Sequence, residues 1–351
     1  MFALVLLVEL LLGTSVVPML WRCIFVIVIT GSSGFVGRYV VDQLVQNGEK
    51  VVAVVHGGHG LKFYRAAGVP VVPIDLTFRD DFDELPFDGV DAIVHTAGLL
   101  SIDSPRWSSE DYFDVNIKGM YNVLEYARRV GCKKIVNIAT HSDTSRCNEK
   151  VIYEDTPICY GGGDSGRPGT IAYITSKIAA MNMLNAYALE YGMQGISLRL
   201  PGIRGYGSRD TFYNCVFHQF IQKALKGEPI PIWGKHETYR DLVYIKDVVQ
   251  AVVCSLKSNS ANGLYNIGSG AGLTILEEAQ HITDVFCEPG KVSDIEFHPE
   301  IEEVRKNSWI FSISKAKREL GYFPRYSYRE GLEDFKKEME LNRFEGLQGI
   351  E

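Results

Sequence analysis

Ile24-Phe25-Val26-Ile27-Val28-Ile29 runs unbroken into Thr30-Gly31-Ser32-Ser33-Gly34-Phe35-Val36-Gly37, and Tyr39, Val40, Leu44 and Val45 then recur at helical spacing. A buried β-branched run, a glycine turn and an amphipathic helix, in that order, predict the first β/α unit of a parallel sheet. Such a turn lets backbone approach a pyrophosphate, and the helix N-terminus adds free N–H groups and the positive end of its dipole. The spacing predicts that Gly31, Ser33, Gly34, Phe35, Val36 and Gly37 line a dinucleotide, with all three glycines against the pyrophosphate.

Further along, Tyr173-Ile174-Thr175-Ser176-Lys177 puts a phenol and an ammonium four residues apart, on one helical face. Lys177 is expected to bond a nicotinamide ribose and to lower the Tyr173 phenol toward neutrality, making it a general acid/base. Thr140 ends a predicted strand, where its hydroxyl faces a substrate oxygen opposite Tyr173. Ser142 offers a second hydroxyl, and His141 reads as a satisfied loop histidine.

Between the two motifs, apolar strand signals alternate with helical ones. Strands are predicted at Lys50 to Val55, Val71 to Ile74, Ala92 to Thr96, Lys134 to Ala139 and Gly195 to Leu200, with a helix over Val115 to Val130. The pattern is that of a Rossmann-type, doubly wound parallel sheet, an α/β fold. After Pro201 it changes to glycine- and proline-punctuated segments with shorter helices, such as Thr211 to Lys226, read as a smaller C-terminal substrate-binding lobe. The predicted division is an apolar extension over 1–22, an NAD(P)-binding domain over 23–200, the lobe over 201–343 and a tail over 344–351. Ligands collect at the carboxyl ends of parallel strands. There stand His56, with Lys62 and Arg65 nearby, then Asp75-Leu76 and Thr96-Ala97-Gly98. An imidazole where an acid usually meets the ribose leaves NAD and NADP both open.

The net charge of −7 with no basic stripe argues against a nucleic-acid partner. Seven scattered cysteines with no Cys-x-x-Cys pair argue against zinc and against a disulfide framework, and fit a reducing, cytoplasmic setting. Phe2 to Leu20 is almost wholly apolar but interrupted by Glu9. It reads as a dispensable extension before a start at Met19, or alternatively as a membrane anchor.

From Ile24 to about Leu332 the chain resembles the extended short-chain dehydrogenase/reductases, in particular the NAD-dependent epimerase/dehydratase family. Besides the two lead motifs, the likeness rests on Asn116-Ile117-Lys118-Gly119, Leu198-Arg199-Leu200-Pro201-Gly202-Ile203-Arg204-Gly205 and Tyr239-Arg240-Asp241-Leu242-Val243-Tyr244-Ile245-Lys246-Asp247-Val248. It also rests on Leu264 to Gly270 and on Ser314-Lys315-Ala316 with Leu320-Gly321-Tyr322. The resemblance implies Thr140, Tyr173 and Lys177 as catalytic, Asn116 and Pro201 beside the cofactor, and Ser142, Gly202, Arg204 and Arg240 toward substrate. It implies NAD(P)-dependent hydride transfer at a sugar hydroxyl or ketone, on a nucleotide sugar, and is compatible with a homodimer. A reductase of non-sugar ketones or aldehydes, and a cofactor-binding regulatory protein, are the alternatives. The family's dehydratases carry Asp-Glu after the threonine. Here His141-Ser142 follow, Gly202 replaces an asparagine, and Gly161 to Gly166 expand the loop, so water elimination is not expected and substrate recognition is expected to be atypical.

Overall fold

The computed structural model describes residues 26–100, 107–159, 168–207, 216–234, 236–288, 290, 293–301 and 307–347. The N-terminal extension, the Gly161 to Gly166 run and Thr211 to Cys215 lie outside the described residues.

Seven parallel strands form the central sheet: β1 (Val26–Thr30), β2 (Lys50–Val55), β3 (Val71–Pro73), β4 (Val90–His95), β5 (Lys134–Thr140), β7 (Gln194–Leu200) and β11 (Gly263–Asn266). Their order is β11-β7-β5-β4-β1-β2-β3, doubly wound about β1 and β4. Each central strand is a β-branched run covered on both faces, so it reads apolar throughout. Two apolar clusters flank the sheet, one through Ile29, Val40 and Val94, the other through Val28, Ile93 and Leu124. Crossover helices include α1 (Phe35–Gln46), α2 (Gly58–Ala66), α3 (Ser109–Phe113), α4 (Gly119–Arg129) and α5 (Pro168–Tyr191).

The helix predicted over Val115 to Val130 is divided. A single π-turn, Asp114–Lys118, separates α3 from α4 and carries Asn116, which is buried. Such bulges re-aim side chains and concentrate at functional positions.

The predicted boundary at residue 200 is crossed by the chain. β11 returns to pair with β7, and α7 (Ile245–Lys257) packs on α1. The remaining strands form smaller sheets. β10 (Tyr239–Tyr244) lies between β8 (Gly202–Arg204) and β12 (Gly272–Thr274), β13 (Ile295–His298) pairs with β9 (Ile230–Trp233), and β14 (Ile310–Phe311) with β6 (Val151–Ile152). The helix predicted from Thr211 is α6 (Val216–Lys226) in its described part, and α8 (Ile275–Phe286), α9 (Ser314–Leu320) and α10 (Tyr328–Leu341) complete the lobe.

The Arg-Asp stretch of β10 is explained by this packing. Buried Asp241 accepts from the amides of Ser269, Gly270 and Phe311 at 2.9, 3.2 and 3.0 Å. Its carboxylate thus ties three segments of the lobe together.

The predicted tail from 344 also differs, because its apolar residues find a core. Phe344 and Leu347 are buried, and the Leu347 carbonyl accepts from Arg38 at 3.1 Å. The same buried guanidinium donates to the carbonyls of Ser33 at 2.9 Å and Gly34 at 3.2 Å. The far end of the chain is therefore clasped to the glycine turn.

Candidate active site

The glycine turn is built by close approach. Gly31 has φ +70°, and a Cβ there would lie 2.6 Å from Ala97 Cα. Only glycine fits both the dihedral and the space. Thr96 Oγ1 holds the turn from β4's end, donating to Thr30 O at 2.7 Å and Gly31 O at 3.3 Å.

Gly31, Ser33, Gly34, His56, Asp75, Leu76, Thr96, Ala97 and Gly98 line one cavity of about 490 Å³ at the carboxyl ends of the strands. Two members of the predicted set turn their side chains away from it. Phe35 and Val36 pack into the apolar core beneath. A Cβ on Gly37 would meet Gly31 O at 2.2 Å, so this glycine seats α1 closely against the turn.

At one end of this cavity His56 is exposed, its Nε2 3.9 Å from Asp75 Oδ2. The other oxygen, Oδ1, accepts from Thr77 N at 2.9 Å and Thr77 Oγ1 at 2.8 Å. A carboxylate therefore reaches this corner from the end of β3, beside the imidazole at the end of β2.

The other end of the cavity meets the Tyr/Lys helix. Asn116 Oδ1 accepts from Leu99 N at 2.8 Å, while Nδ2 donates to Leu99 O at 3.2 Å and Ser176 Oγ at 2.9 Å. A Cβ on Gly98 would sit 2.9 Å from Asn116 Oδ1 and 3.9 Å from Lys177 Nζ, which brings these three positions together. Burial alone lowers the Lys177 ammonium to about 8.

Tyr173 is 7% exposed, with the Tyr112 ring edge-on at 6.3 Å. Its phenol hydrogen-bonds Thr140, whose Oγ1 also donates to Ser142 Oγ at 3.1 Å. The expected lowering of the phenol by Lys177 is not what these side chains produce. Burial raises Tyr173 above its usual 10, and the Thr140 hydrogen bond opposes it. In a dry pocket the loss of hydration outweighs a hydrogen-bonding neighbour.

The residues predicted toward substrate stand in more than one place. His141 stacks on Trp309 at 5.1 Å and lies in the field of Arg240, so Arg240 stands beside the active-site turn. Pro201 is buried between β7 and β8. Gly202 starts β8, and Arg204 at its end binds the buried Glu278 carboxylate at 2.6 Å. Arg204 instead borders a second cavity of about 460 Å³ under Leu242 and Tyr328.

Trp107 and Asp111, which the sequence did not single out, complete the first cavity. The available signal was the capping box of Ser108 and Asp111 directly after Trp107. No group of three or more metal-ligating side chains occurs among the described residues.

Comparison with known proteins places this geometry. The chain is 26% identical over 320 residues to the UDP-N-acetyl-alpha-D-glucosaminuronate decarboxylase of Bacillus cytotoxicus, spanning 89% of this chain and 96% of that one. Among solved structures, the UDP-glucose 4-epimerase of Thermotoga maritima with UDP-glucose superposes with a TM-score of 0.74 at 25% identity, covering 91% and 99% of the two chains. The dTDP-glucose 4,6-dehydratase of Bacillus anthracis, solved with NAD, shares the fold at a TM-score of 0.72 and 20% identity, covering 91% and 97%. Decarboxylases and epimerases thus stand among the proteins this chain resembles, a dehydratase shares its fold, and the expectation against water elimination finds no support in these likenesses. The family model described as "NAD dependent epimerase/dehydratase family" matches residues 27–268, and the chain belongs to that family.

Proposed function

We propose that this protein is an NAD-dependent enzyme of nucleotide-sugar modification, with Tyr173 as the acid/base at a sugar hydroxyl. The observation that carries it is the meeting of the buried Tyr173–Thr140 pair with Lys177 and Asn116 at the inner end of a glycine-walled cavity. The residues fit a dinucleotide. Gly31, Gly34, Ala97 and Gly98 wall the cavity with small residues, and Gly34 opens α1, whose first-turn amides suit a pyrophosphate.

When bound, the nicotinamide supplies a hydride acceptor and donor. Tyr173 Oη takes the sugar hydroxyl proton and returns it. Thr140 orients both the phenol and the substrate oxygen, and Lys177 holds the ribose. The wall of buried Tyr112 and half-buried Leu99 excludes water from the reacting atoms. Arg240, beside His141, suits the diphosphate of a nucleotide sugar.

Asp75 at the ribose corner favours NAD, since a 2′-phosphate would face its carboxylate. Asp75→Asn is expected to narrow the NAD preference several-fold in calorimetric titrations against both cofactors, and an unchanged ratio counts against this role.

The relatives direct the activity test. Full-length protein is incubated with NAD and UDP-glucose, UDP-glucuronic acid or UDP-N-acetylglucosaminuronic acid, and the sugars are followed by NMR. Conversion of a sugar with no net cofactor reduction is expected, with carbon dioxide released if a uronic acid is decarboxylated. Net NADPH oxidation with simple ketones, and no change in any nucleotide sugar, would replace this reading with a reductase.

A further inference from the structure

The segment following the active-site turn folds back on itself. Cys159 N–H donates to Asp143 O at 2.8 Å, and Arg146 N–H donates to Cys159 O at 2.9 Å. Cys147 is buried, and its thiol reaches Pro157 O at 3.3 Å. These contacts hold the two cysteines in one tight turn, where the Cys159 thiol acts on the Cys147 thiol and helps to raise it. Cys159 is exposed.

We propose that Cys147 and Cys159 form a reversible disulfide, a redox-modification site on the loop that carries Ser142 and Asp143. The pair is local and is no disulfide framework. Its oxidant is a peroxide. The exposed Cys159 thiolate attacks the O–O bond, forming S–O and releasing one water equivalent. The Cys147 sulfur then displaces the sulfenic oxygen as a second water, and S–S forms. Both sulfurs are oxidised, and the peroxide is reduced by two electrons. Burial holds the Cys147 thiol up at about 11, which suits it to the second role. The cross-link would tether the backbone at Asp143, whose carboxylate pairs with buried Arg199 at 2.9 Å, next to Ser142.

The test uses full-length protein treated with one equivalent of hydrogen peroxide, alkylated and mapped without reduction. The expected result is a joined Cys147–Cys159 peptide pair, lighter by two hydrogens and separated again by dithiothreitol. The pair should be absent from Cys159→Ser, an exposed change that leaves the melting midpoint in place. Cys159 recovered fully alkylated, driven to the sulfinic acid with Cys147 free, or joined to a different cysteine or a second chain would overturn the proposal. None of these outcomes depends on the proposed activity.

Discussion

Burial moves Tyr173 and Lys177 in opposite senses, the phenol upward and the ammonium down to about 8, each toward its neutral form. An unfolded lysine titrates near 10.5. Between about pH 8 and 10 the unfolded chain therefore holds a proton that the native chain has released, so stability rises with pH there. Lys177→Met is expected to flatten that rise, to melt higher than the wild type at pH 7, and to lose cofactor binding. Calorimetric melting across the window checks all three, and an unchanged slope would count against the burial argument. Tyr173→Phe keeps the ring and removes only the exchangeable proton. Cofactor affinity should survive while turnover falls about 10²- to 10⁴-fold. Thr140→Ala loses one hydrogen bond and should cost about 2- to 13-fold. A Tyr173→Phe rate close to wild type would leave a dinucleotide fold without tyrosine chemistry.

The unit formed by β1, its turn and α1 shows how tightly an element can be specified. A Cβ on Gly37 would lie 2.2 Å from Gly31 O, and one on Gly34 would lie 3.0 Å from the same atom. Gly37→Ala must push α1 off the turn, an overpacking cost of about 1–3 kcal/mol. Gly34→Ala should cost less, and denaturant melts of the two variants giving the reverse order would refute the packing role. This unit was legible from sequence because its signals are local: a β-branched run, a positive-φ glycine and a helix start. Asn116 was legible as a position, but its setting was not. A π-turn keeps the apolar periodicity of the helix around it, so Val115 to Val130 reads as one helix. The roles of Trp107 and Arg204 were hidden for another reason. One depends on a cavity wall and the other on Glu278, and neither partner is near in sequence.

At the scale of the whole molecule, three histidines removed from water set the acid limit, His95 and His218 buried and His141 half-buried. Burial lowers His95 to about 3, and His141 and His218 to about 4, against 6.5 when unfolded. As pH falls below about 6.5 the unfolded chain takes up protons that the native chain refuses, so stability drops until pH nears 4. A thermal midpoint that falls steadily across this range is expected, and a flat profile down to pH 5 would argue against neutral buried imidazoles. The parallel sheet was legible as a class, yet its last strand was not, because β11 joins β7 from beyond the lobe through pairing that no local pattern announces. The clasp of Arg38 on Leu347 spans 309 residues, and it holds the carbonyls of the turn that opens α1. Its consequence is one of timing during synthesis. The first β/α unit is made long before Leu347, so the guanidinium that braces it waits through the synthesis of the whole lobe for its last acceptor. A nascent chain stalled before Leu347 would hold an unbraced turn, and firm grip on a dinucleotide would wait until that residue has been made and docked.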